Sequence, residues 1–272
     1  MSVGFQIEEV VNRLSKQCFL ELPVRLYQNE PNWVRPLDCE IETVFDPKKN
    51  KMFRRGTCRR WVLKNSDGHV IGRVAAFVDN KTKDLSEQST GGMVFFECVD
   101  DKDAAFKLFD CCVDWLKNQG VEAMDGSINF GERHQRWGLL VDGFHRPLYG
   151  MPYSLPYYQN LFESYGFKTY FEQYTYKTLF STDSLSEIIA WKAKRIVSNP
   201  DYSIVHFKKK NMAKFIKNFV HIYNEAWVST IPGVDYMTED HAIETFNSME
   251  SVLDERLLWF ARENEVFAIQ IP

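Results

Sequence analysis

Residues 58–120 restrict this chain more than any other stretch. Over residues 58–79 (CRRWVLKNSDGHVIGRVAAFVD) two apolar runs flank Asn65, Ser66, Asp67 and Gly68, a hairpin signal because such residues accept the backbone angles of a tight reversal. A polar loop (residues 81–90) leads to residues 91–100 (GGMVFFECVD), an aromatic-rich run that reads as a third strand of the same meander. The period then changes. Ala105, Phe106, Leu108, Phe109, Cys112, Val113 and Leu116 recur at helical spacing, and Gly120 is placed to cap that helix. Residues 121–130 (VEAMDGSINF) return to a strand pattern. A strand meander feeding one long helix and a further strand points to a mixed α/β architecture.

Around this block the pattern is weaker. Residues 5–16 read as a short amphipathic helix with Ile7, Val10, Val11 and Leu14 on its apolar face, and residues 19–27 (FLELPVRLY) as a strand. Pro31, Trp33 and Pro36 punctuate a loop, a weak helical stretch runs to Val44, and a turn begins at Asp46. Residues 131–156 are rich in Gly, Pro, Arg, Trp and Tyr without periodicity, which makes them a candidate functional loop. Residues 156–167 read as a short helix closed by Gly166, and residues 167–180 as one or two strands. A linker helix is expected over residues 185–197. After it come a strand (202–207), a helix (212–227), a second helix with Thr238 as its N-cap, and a terminal hairpin.

At 272 residues with 44% hydrophobic and 15% aromatic content, the chain can furnish a sizeable core. A formal charge of −4 supplies no global basic field, so nucleic acid and anionic membranes are not expected partners. The N-terminus carries acidic residues and no continuous apolar segment, and no run of apolar residues is long enough to span a bilayer. A cytoplasmic address follows. Six scattered cysteines, with no CxxC and with Cys111 beside Cys112, read as reduced thiols, and no metal site is expected because no histidine lies at a metal-site spacing from a cysteine.

The order strand, helical region, three-strand meander, long helix, strand, short helix, terminal strands resembles the GNAT acyltransferase fold, a mixed, mainly antiparallel sheet flanked by helices. Residues 160–167 (NLFESYGF) are similar to that superfamily's late helix and its terminal Gly-Phe. The resemblance covers residues 19–180. A partial second copy covers residues 202–272, giving domains at 1–182 and 183–272.

The resemblance implies N-acyl transfer from acetyl-CoA or another acyl-CoA to a small-molecule or peptide amine, or else a catalytically silent GNAT-fold binding or assembly module. A homo-oligomer stays open. It places the coenzyme where the last meander strand enters the long helix, here Cys98, Val99, Asp100, Lys102, Ala104 and Ala105. The superfamily's glycines are replaced there by Asp101 and Asp103, so the phosphate loop departs from the pattern. It also implies a base and an acid: Glu97 is the first candidate base, Asp125 the next. The usual tyrosine acid matches Phe162, which leaves Tyr157 or Tyr158 as substitutes. In the irregular loop, Asn129, Glu132, Arg133, Arg136, Trp137, Tyr149 and Tyr153 combine guanidinium and aromatic groups, a mixture that can clamp a ligand or tie the loop down by salt bridges.

Overall fold

The computed structural model describes residues 4–84, 88–131, 135–177, 186–230, 234–263 and 265–270. Chain contacts divide it into two units, Met1–Tyr174 and Thr175–Pro272.

The first unit is built on a five-stranded sheet in the order β1-β2-β3-β4-β5. Its strands are β1 (Gln6–Glu9), β2 (Gly56–Lys64), β3 (Val70–Asp79), β4 (Thr90–Cys98) and β5 (Ala123–Gly126). The first four pair antiparallel, and β4 with β5 runs parallel. The hairpin, third strand and β5 are thus where the alternating pattern placed them. α1 (Arg13–Leu26) and α2 (Asp38–Val44) cover one face, where Phe19, Leu22, Ile41 and Val44 pack on Val62, Ala75, Phe77 and Val94. α3 (Lys102–Asn118) and α4 (Tyr158–Tyr165) cover the other, where Leu108, Phe109, Leu161 and Phe162 pack on Leu63, Val74, Ala76 and Met93. Gly166, at φ 116°, closes α4 in the left-handed conformation that glycine tolerates best.

The N-terminus corrects two expectations. Residues 6–9 are a strand, paired from Gln6↔Lys64 to Glu9↔Trp61, and residues 13–26 are one helix rather than the end of a helix followed by a strand. The helix starts where a capping box allows it: the Ser15 N–H donates to Asn12 Oδ1 at 2.9 Å and the Asn12 N–H to Ser15 Oγ at 3.2 Å. Phe19, Leu22 and Leu26 also fit a helical face, and the available sheet face decided between the two periods. A third expectation fails at residues 167–177, which contain no strand; Tyr170, Phe171, Tyr174 and Tyr176 are exposed there. Residues 178–180 lie outside the described residues.

The second unit holds α5 (Glu187–Val197), β6 (Tyr202–His206), α6 (Met212–Tyr223), α7 (Glu239–Ser248), β7 (Trp259–Glu263) and β8 (Glu265–Gln270). Its sheet runs β6-β7-β8, all antiparallel, over a core of Phe207, Phe215, Ile216, Phe246 and Phe260. Thr238 caps α7, accepting the His241 N–H at 3.2 Å. Strand, helix, helix, hairpin is also the order of β1, α1, α2, β2 and β3 in the first unit, and the three strands neighbour one another in the same order. Among the described residues no helix is long and apolar enough to cross a membrane.

Candidate functional site

Strand β4 carries one extra residue relative to β3: Ala75 faces Val94, but Arg73 faces Glu97. The bulge sits at Phe95, whose φ of 56° is costly for a residue with a Cβ, by about 1–2 kcal/mol. Ring packing offsets that cost: Phe95 lies 5.4 Å from Phe45 and 6.1 Å from Phe19. The extra residue also reverses parity. Strict alternation from Val94 would send Glu97 to the α3 face; the bulge sends it to the α1 face, opposite Arg73.

There Glu97 meets three groups. Tyr27 and Tyr158 each donate their hydroxyl to Glu97 Oε2 at 2.8 Å, and Arg73 Nη2 lies 3.5 Å from Oε1. Arg73 Nη1 donates to the Phe19 carbonyl at 2.6 Å. That carbonyl is available because the residue four positions on is Pro23, which has no N–H to continue the helix ladder. Burial pushes the Glu97 carboxyl above its ordinary range, while Arg73 and the two hydroxyls pull it the other way. Burial likewise raises Tyr27 and Tyr158, with the Glu97 charge adding to it. The group stands at a cavity of about 100 Å³ whose wall combines apolar side chains, among them Pro23, Trp33, Ile41, Phe96, Leu139 and Met151, with polar ones such as Arg136, Ser154 and Tyr158. A carboxyl raised by burial and held by two phenol hydroxyls is suited to accept a proton.

Of the residues expected from the sequence, Glu97, Tyr158, Arg136 and Tyr153 line this cavity. Tyr153 donates to Glu30 at 3.1 Å, and its carbonyl lies 3.2 Å from the Tyr27 hydroxyl as a second, longer acceptor for the proton that points to Glu97. Tyr157 points to the backbone instead, donating to the Cys98 carbonyl at 2.7 Å. Asp125 is exposed and pairs in register with Gly92, five positions before Glu97, or about 16 Å along the strand at the usual rise; the structure does not bring the two carboxylates together. Asn129 is buried, Trp137 half-buried and Tyr149 exposed with its hydroxyl on Glu40, and none of the three lines the cavity. Glu132 and Arg133 lie outside the described residues. Tyr27 and Arg73 were missed. An arginine inside the apolar run IGRVAAFV, with a glutamate inside MVFFEC, was the available signal.

The junction of β4 with α3, where the resemblance puts a coenzyme, has a different character. Asp101 caps α3, its Oδ1 accepting the Ala104 N–H at 3.0 Å, and the N–H groups of Val99 and Asp101 are bonded to Ile71 and Val99 carbonyls. Cys98 is bonded on both sides: its N–H donates to the Tyr158 hydroxyl at 3.0 Å and its carbonyl accepts from Tyr157. Ala104 and Ala105 are buried in the core, Asp100 and Asp103 are exposed, and Lys102 Nζ lies 5.1 Å over the Phe106 ring. A pyrophosphate charge placed ~4 Å from one of these carboxylates costs about 4 kcal/mol at an effective dielectric near 20. These residues do not fit a coenzyme pyrophosphate at the start of α3.

No family model matches the chain. It is 29% identical over 248 residues to "Bacterial ceramide synthase" of Caulobacter vibrioides, covering 89% of this chain and 62% of that protein. It is 28% identical over 162 residues to "Protein YghO" of Escherichia coli, covering 59% of this chain and 41% of that one. The chain therefore spans less than two thirds of either relative. Among solved structures, the GCN5-related glucosamine N-acetyltransferase region of a fungal multi-domain GH3 β-N-acetylglucosaminidase superposes with a TM-score of 0.50 at 13% identity, covering 99% of this chain and 28% of that one. At that identity the likeness speaks for the fold. The fold is the mixed α/β GNAT fold, as the residues around the meander and the late helix implied.

Proposed function

We propose that this GNAT-fold chain catalyses amide formation on an amine, with Glu97 as the base. The single observation that carries the reading is the Glu97 carboxyl at the β4 bulge, largely buried, raised, and held by Tyr27, Tyr158 and Arg73 beside the cavity. An amine is protonated at neutral pH and must lose a proton before it attacks the acyl carbon of a thioester; the C–N bond then replaces the C–S bond, and the departing thiolate takes up a proton to leave as the thiol. Glu97 receives the amine proton, Tyr27 and Tyr158 hold the carboxylate in place, and Arg73 stabilises it when charged. The apolar side chains of the wall, such as Trp33, Leu139 and Met151, suit an acceptor with a hydrocarbon part. The relative from Caulobacter vibrioides is named a bacterial ceramide synthase, and ceramides being amides, that name supports this chemistry by likeness.

Purified protein incubated with acyl thioesters and a panel of amines, with products read by mass spectrometry, tests the reading. Glu97→Gln is expected to lower amide formation by about 100-fold or more while the far-UV circular dichroism is retained. Equal turnover by wild type and variant clears Glu97 of the role.

A second reading rests on the start of α3: with its phosphate cradle capped by Asp101, the first unit serves as a catalytically silent binding module. Millimolar acetyl-CoA giving no heat in calorimetry, together with no amide from any thioester, favours this alternative. The matching order of elements and strands in β1-α1-α2-β2-β3 and β6-α6-α7-β7-β8 further supports reading residues 183–272 as the opening of a second GNAT-like copy after a first at 1–182.

A further inference from the structure

Arg136 is the one loop guanidinium of the described cavity wall that the proton chemistry leaves unused. Its backbone is held in an unfavourable conformation, φ 51°, with the N–H donating to the Gly150 carbonyl at 2.7 Å. Its guanidinium carbon lies 5.2 Å from the centroid of Phe95, and that of Arg73 lies 5.7 Å from the same centroid. The bulge residue therefore carries both cations. The Arg136 side chain is only 16% exposed, and its Nη1 is buried with no hydrogen-bond partner among the described residues. Nη2 is 3.8 Å from Glu40 Oε2, too far for a hydrogen bond, while the other Glu40 oxygen accepts from Tyr149. A buried guanidinium with an unused N–H in a cavity wall is an incomplete anion site, because such donors are satisfied in native proteins by protein, water or ligand. Its planar fork matches a carboxylate or a phosphate.

We propose that Arg136 binds an oxyanion on the acceptor, so that the cavity takes an amine that also bears a carboxylate or similar group, with an apolar remainder against the wall. This rests on the reading of Glu97 as the base for an amine. The charges then match in pairs: ammonium to Glu97, oxyanion to Arg136, with Arg73 retained as the partner of Glu97. An amino acid with an apolar side chain has this arrangement. The same fork could meet a phosphate of the acyl donor, and the experiment separates the two sources.

Calorimetry on the full chain compares pairs that differ only in the carboxylate: L-leucine against isopentylamine, and L-phenylalanine against phenethylamine. The carboxylate-bearing member is expected to bind wild type at least about tenfold more tightly, as one charge-assisted hydrogen bond provides. Arg136→Gln brings it down to the level of the carboxylate-free amine, and Arg136→Lys, which keeps the charge without the fork, retains part of the preference. Equal binding within each pair by wild type overturns the proposal. So does a loss in Arg136→Gln that is shared equally by both members. If Arg136→Gln weakens acyl-CoA and leaves the amine pairs as in wild type, the oxyanion belongs to the donor and the assignment to the acceptor is wrong. Binding as expected without any amide product upholds the anion site and removes the catalytic reading on which it was framed. Should Arg136→Gln fail to fold, the comparison of wild type with Arg136→Lys decides the matter alone.

Discussion

Replacing Arg73 by Met should destabilise this protein in a manner that depends on pH. Arg73 and Glu97 are 4% and 12% exposed and 3.5 Å apart, a separation worth about 5 kcal/mol of attraction at an effective dielectric near 20. Losing one partner of a buried pair typically costs about 3–5 kcal/mol, because the other charge is left without compensation. Glu97 has an escape that an arginine lacks: it can take up a proton. Its folded carboxyl already stands above the unfolded value of 4.5, and Arg73 is the foremost influence holding it down. Without Arg73 the folded value climbs further while the unfolded value stays. A folded state that binds a proton more tightly than the unfolded state loses stability as pH rises between the two values. Below 4.5 the group is neutral in both states and its penalty vanishes. The expected deficit in urea unfolding is therefore about 1 kcal/mol near pH 5, from the lost bond to the Phe19 carbonyl, growing toward about 3–5 kcal/mol at pH 8. Arg73→Met/Glu97→Gln should recover the pH-dependent part, since no buried charge remains. A deficit that is the same at both pH values, or single effects that add within about 0.5 kcal/mol, would refute the reasoning.

Other changes probe the surroundings of this pair. Asp101→Ala removes the α3 cap and should cost about 1 kcal/mol in urea unfolding; an unchanged midpoint would show that the bond to Ala104 contributes nothing. Because the start of α3 does not fit a pyrophosphate, an acyl-CoA and the matching acyl-pantetheine should show similar kcat/KM, and a preference for the nucleotide above about tenfold, or 1.4 kcal/mol, would contradict that assignment. Pro23→Ala returns an N–H to the helix ladder, where proline is about 3 kcal/mol less favourable than alanine. That N–H competes with Arg73 for the Phe19 carbonyl, so the melting temperature should rise while amide formation falls. Full activity in this variant would mean that the Phe19 carbonyl does not position Arg73.

The N-terminus shows how local patterns mislead. Residues 5–27 contain apolar spacings compatible with either period, and the alternation over residues 19–27 reads as a strand. Yet the second unit, whose strand, helix, helix and hairpin follow cleaner patterns, has the same order as the start of the first. Comparing the two halves would have assigned β1 and α1 correctly. The capping pair of Asn12 and Ser15 was a further local signal. Tyr27 and Arg73 escaped notice for a different reason: each is unremarkable in its own segment and gains meaning only from partners 70 and 24 residues away.

By itself, the sequence determined the β2–β3 hairpin, the third strand, α3 with its acidic start, and α4 with its glycine cap. These depend on interactions within a few residues, which hydrophobic period and turn chemistry report directly. The resemblance to the GNAT pattern also set Asp101 at a position where that pattern has glycine. Only the tertiary structure decided that β4 holds one more residue than its partner, that Glu97 consequently turns to face Arg73, and that Pro23 frees the carbonyl which anchors that arginine. A bulge is set by the pairing of two strands and by what packs on Phe95, so no window of the chain contains it. The candidate site is made of Tyr27, Arg73, Glu97, Arg136 and Tyr158, and register and packing across the sheet, which local periodicity does not encode, bring them together.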